Sequence, residues 1–327
     1  MKCTNKLRHI VSVITIASLS LMSLTACGKS SLPLKYTDVN NISTNHMLEN
    51  KADSFASGYA ICNEDILGDL GITIEDASAA GLFDVNNKNV LYAKDIHDRF
   101  SPASLTKIMT ALVALKYGNI DDVITCSENV SKLESGATAI GLKAGDQLTM
   151  NQALHALLIK SANDAGVAIA EHIAGSVDEF ANMMNREALS IGATNSHFVN
   201  PHGLSDNDHY TTVYDLYLIT NEAIKYPDFN EIIHTTDYET VYNDSEGNDI
   251  PLKLSTTNLF LRGDYSAPER ITVVGGKTGT TYVAGNCLDL IVKDESGNPY
   301  IAIILRASER GIVNEEMSNM LKEINSR

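Results

Sequence analysis

Three short polar elements, Ser104-Leu105-Thr106-Lys107, Ser161-Ala162-Asn163 and Lys277-Thr278-Gly279, follow one another in a chain of 327 residues, 57 and 116 positions apart. If they work together, the fold must bring the chain back twice to one place, and no other feature restricts it so strongly. Taken singly, each has a plain reading. Ser104 can cap a helix that carries a surface lysine, and Ser161 with Asn163 can cap another. A lone Ser-x-x-Lys match is also of the kind that chance supplies. Taken together, they are the parts of a serine acyl-transfer site: a nucleophile with a lysine base, a polar shuttle, and a cationic strand that holds a carboxylate.

The patterns around these elements give the fold class. Ala79-Gly81-Phe83 and Val90-Tyr92 alternate about Asn86-Asn87-Lys88, which reads as a β-hairpin. Ser101-Pro102-Ala103 leads into a helix from Ser104 to Gly118, in which Ile108, Leu112 and Leu115 recur at helical spacing. Helices are expected over Thr149–Lys160, Ala165–Ala174, Val177–Leu189 and Thr212–Ala223. Strand character returns at Ile271–Val274, Asn286–Lys293 and Tyr300–Leu305, with a turn at 295–299, and a helix from about Asn314 to Ile324 closes the chain. Strands at both ends with helices between predict an α+β domain over 57–327. Its antiparallel sheet is flanked by helices, with an inserted helical region at about 119–225.

Each element has the chemistry its role would need. Ser104 starts its helix, where free backbone N–H groups and the helix dipole favour a developing oxyanion. Lys107, three residues on, shares its helix face. A serine hydroxyl attacks only when a base takes its proton, and a lysine serves only when neutral. Bringing a lysine from its ordinary pKa to neutrality takes about 4 kcal/mol of environment, supplied by burial and by a like charge such as Lys277. At an exposed corner between two helices, the Ser161 hydroxyl can relay a proton, and the Asn163 amide can orient Lys107 and a substrate carbonyl. Gly275, Gly276 and Gly279 flank Lys277 in a β-rich stretch, which suits a strand that another backbone approaches closely. A peptide could add along that edge while Lys277, Thr278 and Thr280 grip its terminal carboxylate. The Gly-x4-Gly-Lys-Ser/Thr pattern of a phosphate loop is absent.

The N-terminus reads as an export signal. Lys2, Lys6 and Arg8 precede an apolar run from about Ile10 to Leu24, and Leu24-Thr25-Ala26-Cys27 resembles a bacterial lipobox. The expectation is a lipoprotein signal over 1–26, a lipid on Cys27, and a Ser/Asn/Thr/Lys-rich tether over 27–56. Residues 1–26 hold three basic side chains and no acidic one, so cleavage takes the formal charge from −16 to −19. A surface that acidic argues against nucleic acid as a partner. Cys62, Cys126 and Cys287 are widely spaced, without a disulfide framework or a zinc pattern, and Cys287 lies in an apolar run that reads as core.

These residues carry a family resemblance. Pro102 to Thr110, Ser161-Ala162-Asn163-Asp164-Ala165, Phe198-Val199-Asn200-Pro201-His202-Gly203-Leu204, and Lys277-Thr278-Gly279 with Ala284-Gly285 resemble the low-molecular-mass penicillin-binding proteins. These are serine-type D-alanyl-D-alanine carboxypeptidases with a β-lactamase/transpeptidase-like fold. The likeness runs from about residue 56 to 325. It implies an acyl-ester on Ser104 with Lys107 as base, and proton transfer and placement by Ser161 and Asn163. Lys277, with Thr278, Gly279 and Thr280, would bind substrate, and the N–H groups of Ser104 and Thr280 would form an oxyanion hole. It further implies a peptidoglycan stem peptide as substrate, β-lactams as inhibitors, and no metal or other cofactor.

Departures from the family pattern are informative. About 48 residues follow Gly279, short of the extra domain and anchor helix of many relatives, so attachment at the outer face of the cytoplasmic membrane is expected through Cys27. Gly276 stands where relatives carry a larger apolar residue, which predicts a looser strand. Arg306 and Arg310 are both candidates for the arginine that assists carboxylate binding.

Other readings stay open at this level. A D,D-endopeptidase has nearly the same motifs. A serine β-lactamase shares the plan, but no Glu-x-x-Leu-Asn occurs between Ser161 and Lys277. His197, His202, Asp206, Asp208 and His209 form a ligand-type cluster that a metal-dependent hydrolase could use. A lipid-anchored muropeptide-binding module without turnover is the non-enzymatic alternative.

Overall fold

The computed structural model describes residues 55–326. The expected leader, the lipid-acceptor Cys27 and nearly all of the tether lie outside the described residues. The first hairpin forms where alternation placed it, as β1 (Ala79–Asp84) and β2 (Asn89–Lys94). A 3-10 turn at Ala103–Leu105 then runs into α1 (Thr106–Tyr117), which Gly118 ends. Two short strands, β3 (Val123–Thr125) and β4 (Gln147–Thr149), precede α2 (Met150–His155), α3 (Asn163–Ala174), α4 (Val177–Ser190), α5 (Val213–Ala223) and α6 (Pro227–His234). The hairpin β5 (Asp237–Asn243) and β6 (Asp249–Ser255) follows. The chain closes with β7 (Thr272–Thr281), β8 (Gly285–Lys293), β9 (Pro299–Ala307) and α7 (Arg310–Leu321).

The main sheet is antiparallel with the order β2-β1-β9-β8-β7, so distant segments meet at its centre, where Ala80 pairs with Ile304. Both faces are covered, which explains why β8 and β9 read as nearly unbroken apolar runs. Leu288, Leu290 and Val292 join Val313, Met317 and Met320 of α7, while Ile291, Ile301 and Ile303 belong to the core shared with the other helices. Thr106 through Ala114 of α1 are all buried, as befits a helix enclosed on every side. A second sheet, β3-β4-β5-β6, lies apart from the first.

Two expectations are corrected. The single helix expected over Thr149–Lys160 is α2, capped by Thr149 and Gln152 in a capping box, followed by a π-helical turn at Ala156–Lys160. That turn widens the last coil and delivers Ser161 with a left-handed φ of +67°. The strand at Gly276 is tight rather than loose: φ is +151°, and a Cβ there would stand 2.1 Å from the Asp289 carbonyl oxygen. β7 has a register irregularity between Val273 and Gly275, and only glycine fits the backbone beside it.

Candidate active site

Ser104 sits in the 3-10 turn just ahead of α1, following Ala103, whose φ of +47° is unusual for a residue with a side chain. The strained turn is held from several sides. Thr106 Oγ1 donates to the Ala103 carbonyl at 2.8 Å and stands 2.8 Å from His209 Nε2. Because that hydroxyl has one hydrogen, His209 carries its proton on Nε2, and Nδ1 accepts from the Val199 N–H at 3.2 Å. Gly203 closes over the turn, where a Cβ would fall 1.8 Å from the Ala103 oxygen. Strain of this kind persists only where the surroundings over-determine it.

Lys107 is fully buried, with its Nζ 2.9 Å from Ser104 Oγ, 2.7 Å from Asn163 Oδ1 and 2.6 Å from the His202 carbonyl. No carboxylate among the described residues pairs with it. Burial, then the Lys277 charge, hold its pKa well below the usual lysine value, with Asp164 opposing weakly. Two of its three partners can only accept hydrogen bonds. A neutral amine would give them its two N–H groups and turn its lone pair to the serine hydroxyl; an ammonium would donate to all three. The same heavy-atom positions therefore serve both protonation states.

Lys277 is 1% exposed, and its Nζ donates to Ser161 Oγ at 3.0 Å and to the Thr278 carbonyl at 2.9 Å. Burial lowers its pKa to about 7. β7 is an edge strand, and at Gly279 it passes so close to the serine turn that a Cβ would lie 3.1 Å from Ser104 N and 3.0 Å from the Pro102 oxygen. Thr278 Oγ1 is 2.7 Å from Thr257 Oγ1, and Thr280 Oγ1 is 3.1 Å from Asn286 Oδ1. Ser104, Ser161, Thr278 and Thr280 line one cavity of about 290 Å³, into which Arg310 also faces. The arrangement can move a proton from a serine to a buried amine, and can receive an extended peptide beside an edge strand.

The structure separates the two arginines. Arg310 opens α7, lines the cavity and donates to the Thr257 carbonyl at 3.0 Å, whereas Arg306 is exposed on β9 and outside the cavity lining. Sequence reasoning missed Thr257 and the carbonyl of His202. The histidine-rich segment packs against the serine turn: burial depresses His202 to about 3 and His209 to about 4, and His197 Nδ1 meets the Asp208 carbonyl. Among the described residues, no three His, Cys, Asp or Glu side chains gather as a metal site. Cys287 is buried, as expected, yet it also contributes to the cavity wall.

The family model for D-alanyl-D-alanine carboxypeptidases, peptidase family S11, matches residues 72–309. This chain belongs to that family. D-alanyl-D-alanine carboxypeptidase DacF of Bacillus subtilis is 35% identical over 252 residues, covering 75% of this chain and 61% of the relative. DacC of Escherichia coli is 30% identical over 257 residues, covering 75% and 60%. The chain thus spans about three-fifths of the length of these curated relatives. Among solved structures, the Streptomyces K15 DD-transpeptidase aligns with a TM-score of 0.71 at 26% identity, over 78% of this chain and 100% of that one. The family fold is the penicillin-binding, β-lactamase-like one expected from the sequence. No helix among the described residues is long and apolar enough to cross a membrane.

Proposed function

We propose that the protein is a serine D,D-carboxypeptidase that removes the terminal D-alanine from peptidoglycan stem peptides. The observation that carries this reading is Lys107: fully buried, without a carboxylate partner among the described residues, its Nζ 2.9 Å from Ser104 Oγ. Neutral Lys107 accepts the serine proton as Ser104 attacks the carbonyl of the penultimate D-alanine. The N–H groups of Ser104 and Thr280 receive the oxyanion, and Asn163 holds Lys107 and the substrate carbonyl in place. The proton reaches the leaving amine through Ser161, whose hydroxyl already contacts Lys277. Water then cleaves the acyl-enzyme. The terminal carboxylate is met by Lys277, the Thr278 and Thr280 hydroxyls and Arg310.

β-Lactams acylate the same serine, because their strained amide and carboxylate present the same pair of groups. The enzyme is exported and tethered outside the cytoplasmic membrane by a lipid on Cys27, as the Leu-Thr-Ala-Cys ending of its leader suggests. Steady-state assay of D-alanine from a pentapeptide ending in D-alanyl-D-alanine tests the activity. Release by the wild type and none by Ser104→Ala is expected, and equal rates from both would refute it. For the anchor, radiolabelled palmitate should enter the wild type but not Cys27→Ala.

A further inference from the structure

The charge lining the cavity runs against the composition of the chain. With 41 acidic and 25 basic residues overall, a cavity wall drawn at random would hold more carboxylates than cations. Here the charged residues on the wall are Lys160 and Arg310, and no Asp or Glu is among them. Lys160 is exposed and ends the π-helical turn, so the widened coil that delivers Ser161 also presents the residue before it at the cavity. Four exposed lysines are neutralised locally, Lys116 by Glu187, Lys132 by Glu128, Lys225 by Glu222 and Lys253 by Glu239, but none of these four lines the cavity. Lys160 has no such partner among the described residues.

Arg310 and the β7 hydroxyls suffice for one carboxylate, that of the terminal D-alanine. Lys160 is a further cation, and its wall is a different one. The Thr257 N–H donates to the Ile159 carbonyl at 3.3 Å, while Arg310 donates to the Thr257 carbonyl. Thr257 therefore stands between the two cations and holds them on separate elements, 150 positions apart in the chain. We infer that Lys160 is a specificity residue that pairs with a second carboxylate on the stem peptide, carried by a residue N-terminal to the scissile D-alanyl-D-alanine. This rests on the carboxypeptidase reading and adds to it a preference for stem peptides whose acyl-side carboxylate is free over those in which it is amidated.

A matched pair of peptides ending in D-alanyl-D-alanine, one with a free acyl-side carboxylate and one with the amide, tests this. A partly exposed ion pair gives roughly fivefold discrimination in kcat/KM for the wild type. The ratio should fall to about one in Lys160→Gln and below one in Lys160→Glu, with the effect lost at high salt. A wild-type ratio of one, or a ratio unchanged in Lys160→Gln, overturns the inference. So does an equal loss on both peptides, which would place Lys160 on the shared terminal carboxylate. Protection of Ser104 from fluorescent penicillin by each peptide gives the same ratio without turnover. If neither peptide releases D-alanine, the carboxypeptidase reading fails while the protection ratio still decides the role of Lys160. Peptides that do not protect at all count against both.

Discussion

The side-chain oxygen of Asn163 lies 2.7 Å from Lys107 Nζ, and it belongs to a neutral amide where a carboxylate of the same size would also have fitted. The difference lies in the proton. A carboxylate would hold Lys107 as an ammonium, whereas an amide positions it without charging it. Asn163→Asp should therefore move the rising limb of the kcat/KM–pH profile to higher pH and lower activity at pH 7 by roughly a hundredfold. A profile unmoved by this substitution would argue against Lys107 as the base.

Lys277 governs the other limb. Its folded pKa of about 7 means that the free enzyme loses this charge as pH rises through neutrality. kcat/KM, which reports the free enzyme, should decline above about pH 7. kcat should hold to higher pH, because a bound carboxylate favours the ammonium. Parallel profiles for the two parameters would contradict the assignment of Lys277 to the substrate carboxylate.

Arg310→Gln should raise KM for the stem peptide by roughly tenfold, with a smaller effect on kcat, since a charge-assisted contact to the carboxylate is lost. Arg306→Gln, on the exposed face of β9, should stay within about twofold. Steady-state kinetics on the two variants separates them, and the reverse ranking would move the carboxylate site.

These two arginines illustrate what the sequence could convey. Motif spacing and apolar patterning were enough for the hairpin, the three late strands and the main helices, because those elements are long and largely buried, and burial leaves its mark in residue type. The β5–β6 hairpin was missed: its residues are mostly exposed, and Pro251 sits inside β6, an edge strand that tolerates it. β3 and β4 are three residues each, too short to show a period. At the site, the His202 carbonyl escaped notice because it acts on Lys107 through a backbone atom, and a carbonyl leaves no mark in residue type. The π-helical turn before Ser161 escaped for a related reason, since Ala156–Lys160 has ordinary helical composition.

Gly203 is a case where one methyl group should be decisive. With φ at +84° and the Ala103 oxygen in the way, Gly203→Ala should cost roughly 2–4 kcal/mol of stability and slow acylation by displacing the serine turn. Thermal unfolding and the rate of penicillin labelling read the two effects. A variant with wild-type stability and labelling would show that the turn does not depend on this contact.

Asp289, cross-strand from Lys277, is fully buried with Oδ2 2.6 Å from Thr220 Oγ1 and with Oδ1 unpartnered. Burial raises its pKa to about 7. A carboxyl whose folded pKa exceeds its unfolded value favours the folded state below the unfolded pKa, and that contribution is lost as pH rises through the folded one. Wild-type stability should fall between about pH 4 and pH 8 through this group. Asp289→Asn should be more stable than the wild type at pH 8, by about 1–3 kcal/mol, with the gap closing near pH 5. Urea titrations at the two pH values check this.

The most direct measurement is peptide mapping by mass spectrometry after exposure to a β-lactam, on the wild type, Ser104→Ala and Lys107→Met. The account predicts one adduct, on the peptide containing Ser104, absent from Ser104→Ala and slowed by orders of magnitude in Lys107→Met. An adduct on any other residue, or acylation of Lys107→Met at the wild-type rate, would contradict it.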